Sequence, residues 1–364
     1  MSRSHPSGSG NLSMLSDLLS AGRITADFLR LRLLGITLGA ALIGTVTLRP
    51  SPSWRMMAVL LVAFFFHIAS YVLNDVADIE VDRENPHRAR SPLVASKVRL
   101  STAVLVGVGA IIAAFAVDLA AVGRFGLRTV TLAVAFAGLV GYDFAGKRVR
   151  LAPVTDSLQG LGWGALVCYG ALALGSPSAV TLLIAVYVVI AITLINGVHG
   201  ALRDVASDLE SRASTTALLL GARPGSASGP VVPRSLRVYA WAFQGALAVV
   251  VLAGIDAGTP SGAGGWVAAI MAAAFILVSC FFLQRMLHPG DPLHRRLMGG
   301  AHIIAVFGAG ASIASTGSGP VPALCVLAIM VLPLVPAPRT RPSSSMIPET
   351  RQWISTDGFP GSGS

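Results

Sequence analysis

Charge is what this sequence has least of. Only 12% of its 364 residues are Asp, Glu, Lys or Arg, about half the share found in a water-soluble domain. With 54% of residues hydrophobic and a mean hydropathy of +0.72, that scarcity excludes an ordinary soluble globular protein and leaves an integral membrane protein. Cysteine is scarcer still. Cys168, Cys280 and Cys325 each lie in a different apolar run, and they supply neither a metal-binding spacing nor a disulfide framework. The start of the chain lacks an apolar h-region followed by a small-residue cleavage site, so no removable signal peptide is expected. Acids are the rarer charge, 17 against 27 Lys and Arg. The resulting net charge of +10 could speak for nucleic acid, but in a membrane protein a basic excess more often records orientation.

What the chain has in quantity is apolar runs. Ten are read, near 29–48, 56–74, 102–122, 127–143, 155–175, 178–197, 236–255, 264–284, 299–316 and 320–336. Several are close to the roughly 20 residues a bilayer core requires. The last two are shorter and are divided at STGSGP. The fold class that follows is all-α, a polytopic transmembrane bundle of nine or ten helices. Residues 1–28, polar and rich in Ser and Gly, and 337–364, rich in Pro, Ser and Gly, are expected to be disordered tails around a membrane domain over 29–336. Sixteen Lys and Arg lie in or beside the loops after the even-numbered runs; four, Arg49, Arg55, Arg124 and Arg128, lie in or beside the others. The positive-inside rule then places the even-numbered loops and both termini in the cytoplasm. Orientation absorbs the basic excess without nucleic acid. The two long charged loops, 75–101 and 198–235, fall on that one face. They follow runs of the same direction, so any internal repeat is parallel and about four helices long. Many secondary transporters instead use inverted repeats with a midplane site.

The scarce acids are not scattered. Five of the 17 fall between Asp75 and Glu84, in YVLNDVADIEVDRENPHRARSPL, directly after a strongly apolar run. Asn74, Asp78 and Asp82 are spaced i, i+4, i+8, and Asp75 and Asp82 lie seven apart. On a helix continued past the bilayer edge these side chains share one face, and Asp75 to Asp82 covers about 10 Å of axis. Carboxylates so close repel one another. The same face suits a hard divalent cation, with Asn74 as a neutral ligand or donor. Mg2+ fits, because it takes one or two carboxylates, keeps waters and shares substrate phosphates. A solvated helix end with i,i+4 charge pairs is the plainer reading of this cluster alone.

A second cluster weighs against coincidence. Asp204 and Asp208, i and i+4, stand at the same end of a run of the same direction, 129 residues on from Asp75. Two facing acidic helix ends can grip a diphosphate between bridging Mg2+ ions. Arg88 and Arg90 follow the first cluster, Arg203 and Arg212 flank the second, and Lys147 follows the fourth run in GYDFAGKRVR. Cations at that mouth would bind diphosphate oxygens directly; each taken singly also fits an ordinary positive-inside residue. Arg30 and Arg32 either reach the site or anchor at the headgroups. His67 and His199 lie near the clusters without a matched His or Cys partner, which favours packing over metal ligation.

These residues together resemble the UbiA superfamily of intramembrane prenyltransferases. NDVADIEVD (Asn74–Asp82) is similar to the family's first motif, N-D-x-x-D-x-x-x-D, and RENPHRARSPLVAS to its continuation. DVASDLESRASTTALLLG is similar to the second motif, D-x-x-x-D followed by a Ser/Thr-Thr pair and an apolar turn ending in Gly. The stretch from Tyr142 to Lys147 is similar to the family's Tyr…Lys element. The likeness runs over about residues 25–285. It implies a helical bundle around a central lipid-open cavity, with an Mg2+-bound isoprenyl diphosphate at the cytosolic mouth. In that reading Asn74, Asp75, Asp78, Asp82, Asp204 and Asp208 hold metal. Asn74, Tyr142, Lys147, Arg88, Arg90 and Arg203 hold diphosphate, and Asp78, Asp82, Asp204, Asp208 and Lys147 carry catalysis. Arg212 stands where many members have Gly, Ser91 where many have Arg, and ten runs exceed the family's usual nine.

The expected reaction is transfer of a prenyl group to an aromatic or quinone-type acceptor. Charge on the departing diphosphate calls for cations, and the allylic cation left behind calls for a water-poor chamber. Phe64, Phe65, Phe66, Tyr71, Tyr142, Trp163 and Tyr169 are candidates to stabilise it, although ordinary packing also accounts for each. A membrane terpene cyclase with the same diphosphate site and an ion-coupled transporter are the alternatives. The D-x-x-D-G-x-x-A-R signature of CDP-alcohol phosphotransferases is absent.

Overall fold

Fifteen α-helices make up a computed structural model that describes residues 9–48, 52–84, 88–146, 148–225 and 229–334. In chain order they are α1 Ser9–Phe28, α2 Leu34–Val46, α3 Trp54–Ala77, α4 Ile79–Glu84, α5 Leu100–Val122, α6 Leu127–Ala145, α7 Ala152–Leu174 and α8 Ala179–Leu194. After them come α9 Ala201–Arg203, α10 Val205–Glu210, α11 Thr216–Leu219, α12 Arg234–Gly258, α13 Gly262–Leu287, α14 Pro292–Ala314 and α15 Pro320–Val331. A π-helical turn, Ile195–Gly200, joins α8 to α9. The only β-structure among the described residues is an isolated bridge between Arg223 and Val231.

Local chemistry starts and stops these helices. Ser53 accepts from the Met56 amide to cap α3, and Ser178 and Thr181 form a reciprocal capping box on α8. Asp291 caps α14, with Pro292 in its first turn. Gly123 closes α5 at φ 72°.

Eight helices are long and apolar enough to cross a membrane among the described residues: α3, α5, α6, α7, α8 with its continuation to Arg203, α12, α13 and α14. A ninth span exists if the bent pair Leu19–Phe28 and Leu31–Val46, at 54°, counts as one. Composition therefore misjudged one end of the chain. Residues 9–28, expected within a disordered tail, form α1, and the first apolar run begins only beyond a break at Arg30. The tenth run is a helix too, but its 12 residues extend about 18 Å, short of a hydrocarbon core of about 30 Å. It packs on α2 and α14. The expected C-terminal tail, 337–364, lies outside the described residues.

Large apolar side chains such as Leu105, Ile112, Leu277 and Phe281 point outward, as lipid-facing positions do. Inside, neighbours in sequence pack as neighbours in space: α3 on α5, α6 on α7, α7 on α8, α13 on α14. Small residues set the closest crossing that matters for the site. A Cβ on Gly138 of α6 would stand 2.7 Å from the Gly162 amide of α7. The backbones therefore touch, and the ends of α6 and α7 that carry Tyr142 and Asp156 lie side by side.

Candidate active site

Both acidic segments interrupt their helices at an aspartate. α3 ends at Asp78, which takes φ −91° and ψ 3° before α4 begins. The helix after α8 breaks at Asp204, at φ −102° and ψ 8°, before α10 begins. This is the sparsely allowed bridge region, where many active-site residues sit. In each case the next aspartate four residues on, Asp82 or Asp208, is buried, 6% and 2% exposed. The two segments thus repeat one local structure. The helical face expected to continue smoothly is bent in both, at Asp78 in the first and at Asp204 in the second.

Arginines hold the first segment. One oxygen of Asp75 receives Arg30 and, at 2.7 Å, Arg88. Arg88 also donates through Nε to Asp82 at 3.0 Å. One guanidinium therefore ties the two acids seven residues apart. Burial works against the charge on Arg88, but its bonds to Asp82 and Asp75 outweigh that and raise its pKa above the ordinary arginine value. Arg30 reaches Asp75 from a left-handed residue at φ 48°, between α1 and α2, and lies 5.4 Å over the Tyr71 ring. Arg32 is exposed, as is Arg90, which makes no ion pair among the described residues.

The two segments meet around Tyr142. Its phenol stands within electrostatic reach of Asp156, Asp78, Asp143 and Asp208. Arg203, paired in a fork with Asp204 at 2.6 and 2.9 Å, feels both Arg88 of the first segment and Asp208 of the second. Asn74 donates to Asp143 at 3.3 Å. The other oxygen of Asp143 is buried without a partner. On α7, Asp156 accepts from Thr216 at 2.5 Å, and Gln159 pairs with Asn196 of the π-turn. Asp143 and Asp156 are site acids that motif reading passed over. The available signal was an acid inside an apolar run, which is costly unless it has a use.

The other expectations sort as follows. Lys147 lies outside the described residues. Arg148, beside it, donates to the Ala77 carbonyl at 3.1 Å and so caps the helix that carries the first acids. His67 is a packed histidine, bonded to Thr37 at 2.9 Å and to the Leu29 carbonyl at 3.0 Å. His199 stacks on His302 at 4.9 Å. Phe66 packs edge-on against Trp163 at 6.1 Å and beside Phe136 at 5.3 Å, in the core. Tyr169 bonds Asp118 instead, far from the mouth. Arg212 takes φ 56°, which explains why a position often held by Gly is unusual as Arg. An apolar cavity of about 600 Å3, lined by Trp54, Leu61 and Ala121 among others, opens at the end of α3 remote from its acids.

Every candidate metal donor here is a hard oxygen, the kind Mg2+ takes. Among the described residues, however, no three His, Cys, Asp or Glu side chains stand together as a ready metal site. Asp75 is committed to two guanidiniums of the protein itself.

A multi-pass α-helical membrane protein, with two acidic segments and their arginines gathered at one end of the bundle, is the class that this fold and mouth define. The sequence narrows it: residues 33–297 match the UbiA prenyltransferase family, and the chain belongs to that family. The fold is similar to the apo structure of a UbiA homolog from Aeropyrum pernix K1 (TM-score 0.60, 20% identity, 77% of this chain and 96% of that one). It is also similar to a UbiA homolog from Archaeoglobus fulgidus bound to DMAPP and Mg2+ (TM-score 0.55, 16% identity, 80% and 98%). A third likeness is to a structure described as digeranylgeranylglyceryl phosphate synthase (TM-score 0.57, 14% identity, 83% and 98%). No curated protein matches the chain in sequence.

Proposed function

We propose that the protein is an Mg2+-dependent membrane prenyltransferase that moves an isoprenyl group from its diphosphate to an aromatic or quinone-type acceptor. The observation that carries this reading is that both acidic segments are tied to the adjoining ends of α6 and α7, the first by Asn74 on Asp143 and the second by Thr216 on Asp156. Family membership and the DMAPP and Mg2+ bound by the Archaeoglobus fulgidus homolog support it. Asn74, Asp78, Asp82, Asp204 and Asp208 would hold Mg2+, which supplies charge neutralisation for a departing diphosphate. Asp75 keeps Arg30 and Arg88 aimed at the mouth. Arg88, Arg203 and Lys147 bind diphosphate oxygens, and the Tyr142 hydroxyl lines the same pocket. Phe66, Phe136 and Trp163 belong to the apolar interior that keeps water from an allylic cation.

The mouth faces the cytoplasm in this reading, and both termini join it there when α2 and α15 each complete a crossing. In a cysteine-free background, cysteines at Glu84 and Glu210 should label from the cytosolic side alone. The activity test uses purified protein in nanodiscs with Mg2+ and radiolabelled geranyl, farnesyl or geranylgeranyl diphosphate, with and without hydroxylated aromatic acceptors. Diphosphate release that needs both Mg2+ and an acceptor is the expected result. Release without acceptor, together with a cyclic hydrocarbon, identifies a terpene cyclase, and no release with any donor sinks the assignment.

A further inference from the structure

The second acidic segment is gripped at both flanks by one side chain that belongs to neither motif. Asp156 is the fifth residue of α7, 8% exposed. Its Oδ2 accepts from the Thr216 hydroxyl at 2.5 Å. Thr216, 1% exposed, begins α11, eight residues after Asp208. The same oxygen lies against Gly197, seven residues before Asp204, so close that a Cβ there would stand 3.0 Å from it. Between those two contacts the chain makes the π-turn, breaks at Asp204, forms α10 and reverses through Arg212 at φ 56°. The Ala213 amide closes the reversal on the Asp208 carbonyl at 2.8 Å. Short helices of six and four residues have little stability of their own, so their placement depends on what pins their ends.

We propose that Asp156 is a positioning residue: by clamping Thr216 and Gly197 to α7 it holds Asp204 and Asp208 where a diphosphate is to be bound. The inference rests on the function proposed above. The carboxylate needs a donor to be kept buried, and Thr216 is the donor the structure provides. Tyr239 also turns its hydroxyl toward Gly197, 3.2 Å from the same Cβ position, yet it makes no hydrogen bond. It therefore serves as an internal control.

The probe is geranyl thiolodiphosphate, whose sulfur-linked diphosphate does not leave, titrated with Mg2+ onto the full chain in nanodiscs. Thr216→Val keeps the shape and removes the donor. Its affinity should fall roughly tenfold, the scale of one hydrogen bond to a charged group. Thr216→Ser should restore it, and Tyr239→Phe should leave it unchanged. The double variant Asp156→Leu with Thr216→Val should be no weaker than Thr216→Val alone, because both remove one contact. Affinity within twofold of wild type in Thr216→Val overturns the proposal. So does a Thr216→Ser variant no better than Thr216→Val, or a Tyr239→Phe loss as large. Should Thr216→Val fail to yield folded protein, Asp156→Leu, which removes the acceptor, is read in its place: a several-fold loss with an unchanged melting midpoint supports the clamp, and unchanged affinity refutes it. If the wild-type chain itself binds no probe with Mg2+, the prenyl-diphosphate reading fails rather than the clamp.

Discussion

Helix α6 carries a buried charged group at each end, Arg128 at its start and Asp143 at its finish, and the two differ in how fully they are partnered. At its start, Arg128 donates to Asp118 at 2.8 Å and to the Arg124 carbonyl at 2.7 Å. Thr129 and Tyr169 donate to the same carboxylate at 2.8 and 3.2 Å. Asp118 is 1% exposed and Arg128 7%, and both oxygens of the acid are filled by fixed neighbours from α6 and α7. At the other end, about 21 Å along the axis, Tyr142 and Asp143 face the mouth. There one guanidinium serves two carboxylates, and an oxygen of Asp143 has no partner. A saturated ion pair in a dry interior is a staple. An unsaturated one is a place where a ligand can complete the set.

The sharpest way to test that contrast is to remove acids at each end. Asp78→Ala and Asp208→Ala should abolish diphosphate release while the bundle still folds, measured as turnover beside circular dichroism and melting in nanodiscs. Near-normal turnover in either would make the mouth a second staple. Lys147→Met should lower turnover roughly 10²-fold, the scale of one preorganised electrostatic donor, with a much smaller change in KM. Arg150→Met is the control for it. Arg148 is unsuited to that purpose, since it caps α3. Equal losses in Lys147→Met and Arg150→Met would reduce Lys147 to an orientation signal.

At the saturated end the effect should fall on stability. Asp118→Leu strands Arg128 and should cost about 3–5 kcal/mol, read as a lower unfolding midpoint with turnover per folded molecule unchanged. Asp118→Leu combined with Arg128→Met should recover most of that loss, because replacing both partners leaves no buried charge. A double variant as unstable as the single one would break the comparison. The smallest effect is expected at Arg212. Its left-handed backbone costs an L-residue roughly 1 kcal/mol or more, so Arg212→Gly should raise the melting midpoint slightly and leave diphosphate affinity alone. A fall in that affinity would give the Arg212 side chain a role at the mouth.

How much of this was legible in the sequence depended on cost. Ionisable groups are expensive in a membrane, so Asn74, Asp75, Asp78 and Asp82, with Asp204 and Asp208, stood out against an apolar background, and their spacing placed them on related helix ends. Asp118, Asp143 and Asp156 bear the same cost but stand without a neighbouring acid, and a single acid in an apolar run has no spacing to read. Arg128, counted with the loop cations, is a buried partner instead. The polar composition of residues 9–28 concealed a helix.

Apolar length and the placement of charge determined by themselves that the chain crosses a membrane many times and gathers its acids at one mouth, because both are enforced by the free energy of moving groups between water and lipid. The tertiary structure alone decided which acids are spoken for. Arg30 reaches Asp75 across 45 residues, Asp156 reaches Thr216 across 60, and Tyr169 reaches Asp118 across 51. Such pairs depend on which helices touch, and that is set by close backbone crossings like the one at Gly138 and Gly162, which no local pattern of residues encodes.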